Sequence, residues 1–442
     1  MALAGTATDR RKRTGRLRDF INPRCVGPIG GTTTPADCLV ALRYLLSPRE
    51  LIHGPAIAEY EASFARAVGA RFACSFWAGR VGLYALLLGL GVERDDEVLL
   101  QVPTHVVVAN AIRYTGARPV YVDCRLDSYN MDLDEAERRI TPRSRFLLLQ
   151  HTFGNPVDLD AALALAARHN LQVIEDCVHA MGATYRGRPV GSFGRAAFFS
   201  TEETKTISST MGGVVTTDDP DLADRLMAFR RRCAAPAASQ TVRYLVKFVA
   251  YHLLTRPHAH RFTRAVYELA GRRHPLPRAT TQGELRGARP ANYEQLLSNA
   301  QAALALRQLQ RLQSNIEHRR HVAAAYSARL AQGGYSMPRT PEGAEAAFVR
   351  YPIWVEDRAL AIRSARPRVL LGNWFTSVLE EATSPEHGGY EAGSCPRAEA
   401  AAQHLVNLPT HPLVDDSDVA AIISSLAGLE QAREPIDARP RP

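Results

Sequence analysis

Residues 172–213, QVIEDCVHAMGATYRGRPVGSFGRAAFFSTEETKTISSTMGG, carry the pattern on which the reading of the chain turns. A short apolar run, Leu171, Val173 and Ile174, stops at the acidic pair Glu175 and Asp176. That is how a buried strand delivers a carboxylate to its carboxyl end, where α/β sheets bind ligands. A second apolar run, Ala196 to Phe199, leads into Ser200, Thr201, Glu202, Glu203, Thr204 and Lys205, a hydroxyl-rich loop with one lysine. The small residues from Ser208 to Gly213 follow.

One carboxylate and one lysine on neighbouring loops are the minimum equipment of a pyridoxal 5'-phosphate site. The lysine forms a Schiff base and the aspartate pairs with the pyridinium nitrogen. A protonated ring nitrogen makes the cofactor an electron sink, and desolvation lowers the lysine pKa so that its free amine can attack a carbonyl. Each residue alone has a plainer reading: Asp176 as a turn or helix cap, Lys205 as a solvated loop residue.

The spacing adds to this pair. Asp176, His179, Gly182-Ala183, Tyr185 and Gly187, Val190-Gly191-Ser192, Phe199-Ser200 and Lys205 follow one another in an order that resembles the DegT/StrS family of pyridoxal-phosphate-dependent sugar aminotransferases. The resemblance spans Gly54 to Leu426 apart from an insertion. It implies a type I aminotransferase-like α/β fold: a large domain with a mainly parallel sheet covered by helices, plus a smaller C-terminal α/β domain. It also implies a homodimer with shared active sites, glutamate or glutamine as amino donor, and a keto sugar nucleotide as acceptor. His179 stands where the family hydrogen-bonds the cofactor's phenolic oxygen, and Ser200 sits in the Phe-Ser step before the lysine. Keeping Lys205 argues against the family's dehydratase branch, in which a histidine takes its place. The rival readings are another pyridoxal phosphate reaction, a non-sugar ketone or aldehyde acceptor, and a catalytically silent cofactor-binding regulator or scaffold.

Upstream, the segment from Gly54 has apolar residues at helical spacing and ends at Gly69, a C-cap. FACSFWAGRVGLYALLLGLGV then reads as a strand, a turn at Ala78-Gly79 and a helix from near Arg80, whose N-terminus suits a phosphate. The family's Ser-Gly-Thr phosphate turn is here Ala78, Gly79 and Arg80, which removes both hydroxyls and offers a guanidinium, either to the phosphate or away from it. Strands and helices then alternate up to LQVIED, the mark of a parallel sheet with helices on both faces. Two more loops after strands carry candidates that the resemblance implies. Thr104 is read as a phosphate helper, and His105 as a ring that stacks on the pyridine or merely starts a helix; Asn155, in GNPVDLD, is read as a cofactor or substrate contact.

Downstream, residues 234–291 form an insertion with apolar residues at helical spacing and many Arg and His. Such a helix covers a neighbouring subunit, lids the site, or lies peripherally on a membrane surface. Ser298, Gln301, Ala302 and Ala303 match the family's start of the small domain. Its partner-reaching Asn falls at Glu294, with Asn292-Tyr293 as the substitute. The expected division is an arm over 1–35, a large domain over 36–233, the insertion, and a small domain over 292–435.

Composition sets outer bounds. The chain has 442 residues, 46% of them apolar, ample for large cores, and a net charge of +9. Much of that excess is RRKRTGRLR at Arg10 to Arg18, read as a solvated arm, since no nucleic-acid fold motif accompanies it. Seven scattered cysteines without a CxxC pair read as reduced thiols with no metal site, and no signal-like or membrane-spanning apolar run is present. The expected setting is cytoplasmic.

Overall fold

The computed structural model describes residues 24–28, 30–259, 280–365 and 369–427. The basic run at 10–18 and the part of the insertion over 260–279 lie outside the described residues.

The apolar runs pair into a seven-stranded sheet. Its spatial order is Phe72–Phe76, Gly213–Thr217, Ala196–Ser200, Gln172–Asp176, Ser144–Gln150, Glu97–Gln101, Arg118–Val122. From Ala196–Ser200 to Arg118–Val122 every pairing is parallel, while Gly213–Thr217 runs against both its neighbours. The sheet is therefore mainly parallel, as expected from apolar strands separated by helices. Its register pairs Gln150 with Asp176 and Asp176 with Phe198, so the strands' carboxyl ends make one continuous edge.

Local chemistry sets the helix boundaries. Asp132, Asp158 and Asp219 each accept backbone N–H bonds at the start of Leu133–Arg138, Leu159–Arg168 and Pro220–Arg232. The helix expected from Gly54 spans Ala56–Val68 and stops at Gly69, which adopts the left-handed φ of 70° that a glycine takes without strain. Helices cover both faces of the sheet. Leu83, Leu86 and Phe229 pack on one side with Phe76 and Phe198, and Phe64, Leu159 and Leu165 pack on the other with Leu147 and Phe199.

Beyond the sheet, the helix Asn299–Leu309 leads into the long helix Leu312–Gln332. A second core follows, in which Tyr326, Tyr351, Ile353, Val406, Leu408 and Ile422 pack together around the antiparallel pair Tyr351–Trp354 and Leu405–Leu408. Each such side chain contributes roughly 1.5–3 kcal/mol by leaving water. The described part of the insertion supplies the helix Ala238–Leu254, whose Leu245 and Phe248 pack on Cys38, Ala41 and Tyr44 of the helix Pro35–Leu45. Among the described residues no helix is long and apolar enough to cross a membrane.

Candidate active site

Glu175 and Asp176 are adjacent on a strand, so their side chains leave on opposite faces. Glu175 turns into the structure and accepts the backbone N–H groups of Gly191, Phe193 and Gly194, and it lies 3.2 Å from the ring of buried His151. Burial alone would raise its carboxyl, but those donors outweigh it and hold the group below the usual range. Asp176 faces the edge. Its Oδ1 accepts the Val178 N–H at 3.1 Å, and its Oδ2 has no partner among the described residues. Burial raises this carboxyl to about 6, against the pull of that N–H and of the Lys205 charge.

Lys205 lies one loop away. It is buried, and burial lowers its amine to about 8, with Glu202 opposing the shift and Arg350 adding to it. Its Nζ sits 4.6 Å from the centre of the Trp374 ring. Three carboxamides hold the loop. Gln301 Nε2 donates to the carbonyls of Ser209 (3.2 Å) and Met211 (2.7 Å), and Asn315 Nδ2 donates to that of Thr206 (2.8 Å). Gln308 accepts the Ser208 N–H at 2.9 Å and donates to the Ser208 carbonyl.

His179 is buried, with neither ring nitrogen bonded among the described residues. It stacks parallel to Phe153 and meets Trp374 edge-on at 4.8 Å. Burial first, then the charges of Lys205, Arg350 and His105, keep the imidazole neutral by lowering its pKa well below the usual value. Asn155 donates to the Arg339 carbonyl at 2.8 Å, and its own Oδ1 has no partner among the described residues.

At the Ala78-Gly79 turn, the helix Gly79–Gly89 begins with no side-chain cap on its N-terminus among the described residues. A Cβ on Gly79 would come within 3.2 Å of the Phe199 carbonyl and 3.3 Å of Ser200 Cβ, so a larger residue would have to push the helix start away from the strand that ends at Ser200. Arg80 does not extend toward this space. Its buried guanidinium pairs with Glu284 at 2.9 Å and lies over the Trp77 ring, leaving backbone donors as the means of holding a phosphate here. Thr104 likewise directs its hydroxyl inward, donating to Gln150 Oε1 at 2.7 Å rather than reaching for a phosphate. His105 caps the helix Val106–Arg113 with its ring, Nδ1 accepting the Val107 N–H at 3.3 Å, while Nε2 sits 3.4 Å from Glu381 and the ring meets Trp374 edge-on, so the helix-start alternative describes the imidazole itself. Ser200 Oγ accepts the Glu202 N–H at 3.3 Å. Tyr293, a proposed substitute for the partner-reaching Asn, is instead buried in its own chain and donates to the Arg80 carbonyl at 3.0 Å; Asn292 is exposed.

Trp374, Arg350 and Tyr251 were not singled out from the sequence. Trp374 lies in LLGNWF, Arg350 just ahead of YPIWV, and Tyr251 in the inserted helix; no spacing ties them together, and only folding sets Lys205 and Arg350 against the Trp374 ring and Tyr251 within reach of the Arg350 charge.

The arrangement fits pyridoxal phosphate. Asp176 Oδ2 and both His179 nitrogens are buried polar atoms without partners among the described residues, a costly state that a bound ring nitrogen and phenolic oxygen would relieve. The uncapped helix start at Gly79 faces the same edge, and Lys205 offers an amine already close to neutrality.

A sequence model of the DegT/DnrJ/EryC1/StrS aminotransferase family matches residues 36–427. The chain is 29% identical over 381 residues to GDP-perosamine synthase of Caulobacter vibrioides, covering 84% of this chain and 90% of that one. It is 28% identical over 385 residues to the spore coat polysaccharide biosynthesis protein SpsC of Bacillus subtilis, covering 85% and 90%. Among solved structures, DesV of S. venezuelae, determined in complex with a ketimine intermediate, superposes with a TM-score of 0.68 at 28% identity, covering 88% of this chain and 93% of that one. With the family matched across most of its length and the site's unpaired groups answering to the cofactor, this chain belongs to the DegT/DnrJ/EryC1/StrS aminotransferase family and is a pyridoxal-phosphate-dependent aminotransferase.

Proposed function

We propose that the protein moves an amino group from glutamate or glutamine to the keto carbon of a nucleotide-linked sugar. The observation that carries the reaction type is the buried pair formed by Asp176, with its free Oδ2, and Lys205, with its lowered pKa. Likeness to a GDP-perosamine synthase over most of both chains supports the sugar acceptor.

In this reading Asp176 holds the pyridine nitrogen protonated, His179 donates to the phenolic oxygen, and the N–H groups opening the Gly79 helix with the Ser200 hydroxyl hold the phosphate. Asn155 turns its free Oδ1 to the cofactor or substrate. The bound cofactor supplies an electron sink for the pair left when the donor's α-proton departs. Lys205 takes that proton as a free amine, delivers it to the cofactor's C4′, and runs the shuttle in reverse on the acceptor. An amine with a pKa of about 8 is suited to both directions near neutral pH. The working unit is a homodimer, and exposed Asn292 is the residue that reaches the partner's phosphate site.

Borohydride reduction after loading with pyridoxal phosphate, followed by peptide mapping, tests the site: the label belongs on Lys205. Donor and acceptor are tested by a screen pairing glutamate and glutamine with keto-sugar nucleotides. Label elsewhere would remove Lys205 from its role, and turnover only with non-sugar ketones would overturn the acceptor.

A further inference from the structure

Arg350 is 8% exposed, and among the described residues its guanidinium makes no hydrogen bond or ion pair. A buried cation without a partner is costly and rare. Two acids lie near enough for their charge to be felt, but each is engaged elsewhere. Glu202 accepts the Thr204 N–H at 2.9 Å and the Thr204 hydroxyl at 2.6 Å, closing its own loop. Glu380 accepts the Thr376 N–H at 2.6 Å and its hydroxyl at 3.0 Å. The other buried arginine nearby, Arg319, is satisfied by Asn315, the Val349 carbonyl and Thr410. Arg350 thus stands out as the unanswered charge of this region.

Its position says what would answer it. The guanidinium carbon lies 4.5 Å from the centre of the Trp374 ring, the same ring that Lys205 Nζ approaches at 4.6 Å. An anion bound by Arg350 therefore sits beside the reacting amine. In an α-amino acid the carboxylate is one carbon removed from the nitrogen that Lys205 must exchange with, whereas the phosphates of a sugar nucleotide lie across the sugar from a keto carbon. Tyr251 of the inserted helix adds a second group: its buried hydroxyl has no partner among the described residues and lies near enough to feel the Arg350 charge.

We infer that Arg350, assisted by the Tyr251 hydroxyl, is the site that receives the α-carboxylate of the amino donor. This rests on the aminotransferase reading of the site and adds the donor-selecting residues. It also gives the insertion a role, since Tyr251 is contributed by that segment and reaches the donor from it.

The test reads binding, not turnover. Trp374 is one of three tryptophans, so donor binding beside it is followed by fluorescence in the protein with and without added pyridoxal phosphate. The probes are L-glutamate, L-isoglutamine, whose α-carboxylate is an uncharged amide, and inorganic phosphate. Wild type should bind L-glutamate saturably and L-isoglutamine far more weakly. Arg350→Met should weaken L-glutamate about 30-fold or more while leaving L-isoglutamine unchanged, as expected for loss of a charge-assisted contact. Arg350→Lys should recover part of the loss, and Tyr251→Phe should cost less than Arg350→Met.

Among the described residues the guanidinium makes no hydrogen bond or ion pair, and its contact with the Trp374 ring is one that a methionine can partly replace, so Arg350→Met should unfold close to the wild-type temperature; collapse of thermal stability would mark Arg350 as structural and overturn the inference. So would L-glutamate binding that survives in Arg350→Met, no saturable binding in wild type, or an Arg350-dependent response to phosphate equal to that for L-glutamate. Borohydride labelling of Lys205 is independent of these outcomes: label on Lys205 with no role for Arg350 sinks this inference alone, and absence of label sinks the reading beneath it.

Discussion

Arg80 and Glu284 form a buried ion pair at 2.9 Å between the first turn of the Gly79 helix and the end of the inserted segment. Glu284 also accepts the Thr281 N–H at 3.0 Å, and its carbonyl accepts Asn110 Nδ2 at 2.7 Å, so the segment is fastened to the first turn of the Gly79 helix. Removing one member leaves the other charge buried alone. Glu284→Ala should cost about 3–5 kcal/mol in denaturant unfolding, and Arg80→Met in the same chain should restore most of it. A near-neutral single variant would show that the pair contributes little.

Asp176 should make the protein without cofactor less stable as pH rises. Its folded pKa of about 6 lies above the free value, so the protonated carboxyl is the better folded form. The advantage is full below the free pKa of roughly 4 and is lost as pH climbs through 6, a change of about 3 kcal/mol. Asp176→Asn cannot titrate. The difference in unfolding free energy between the two proteins should therefore shift by about that amount across this window, always in the variant's favour at higher pH. The same substitution should lower turnover by orders of magnitude. Parallel stability curves would place the carboxyl in water.

Lys205 predicts its own loading curve. The rate at which added pyridoxal phosphate attaches should rise with pH and level off above a midpoint near 8, because only the free amine attacks. Lys205→Met should abolish attachment. A midpoint near that of an ordinary lysine would contradict the desolvation that the buried site imposes.

Gln308→Ala strips a buried donor and acceptor from Ser208. Each unsatisfied group costs about 1–3 kcal/mol, so thermal unfolding should fall clearly. Because the lysine loop loses one of its fasteners, kcat should fall more than the KM for the donor changes. Unaltered kcat would mean that the loop holds its shape without this contact.

Much of this architecture could be read before folding. Apolar runs of strand length alternating with helical periods announced the sheet, and Asp132, Asp158 and Gly69 marked helix ends through local hydrogen bonding and backbone geometry. Asp176 and Lys205 were readable because each follows such a run. The destinations of polar side chains were not: Arg80 answers an acid 204 residues away, and Thr104 answers Gln150 on the next strand. Trp374 and Arg350 belong to the second core's surroundings, and their approach to Lys205 depends on how that core packs against the sheet. Periodicity reports burial, not which distant neighbour a side chain meets.

The lysine loop is tied down by Gln301, Gln308 and Asn315, and none of these side chains gains or loses a proton in water. Acid or base can therefore recharge the Lys205 amine while its moorings keep their strength. A change in rate with pH would then report protons on reacting groups rather than slackening of these three ties. Two of the ties come from the helix Asn299–Leu309 and the third from Leu312–Gln332, so whatever displaces that pair of helices would be felt as a tug on the amine itself.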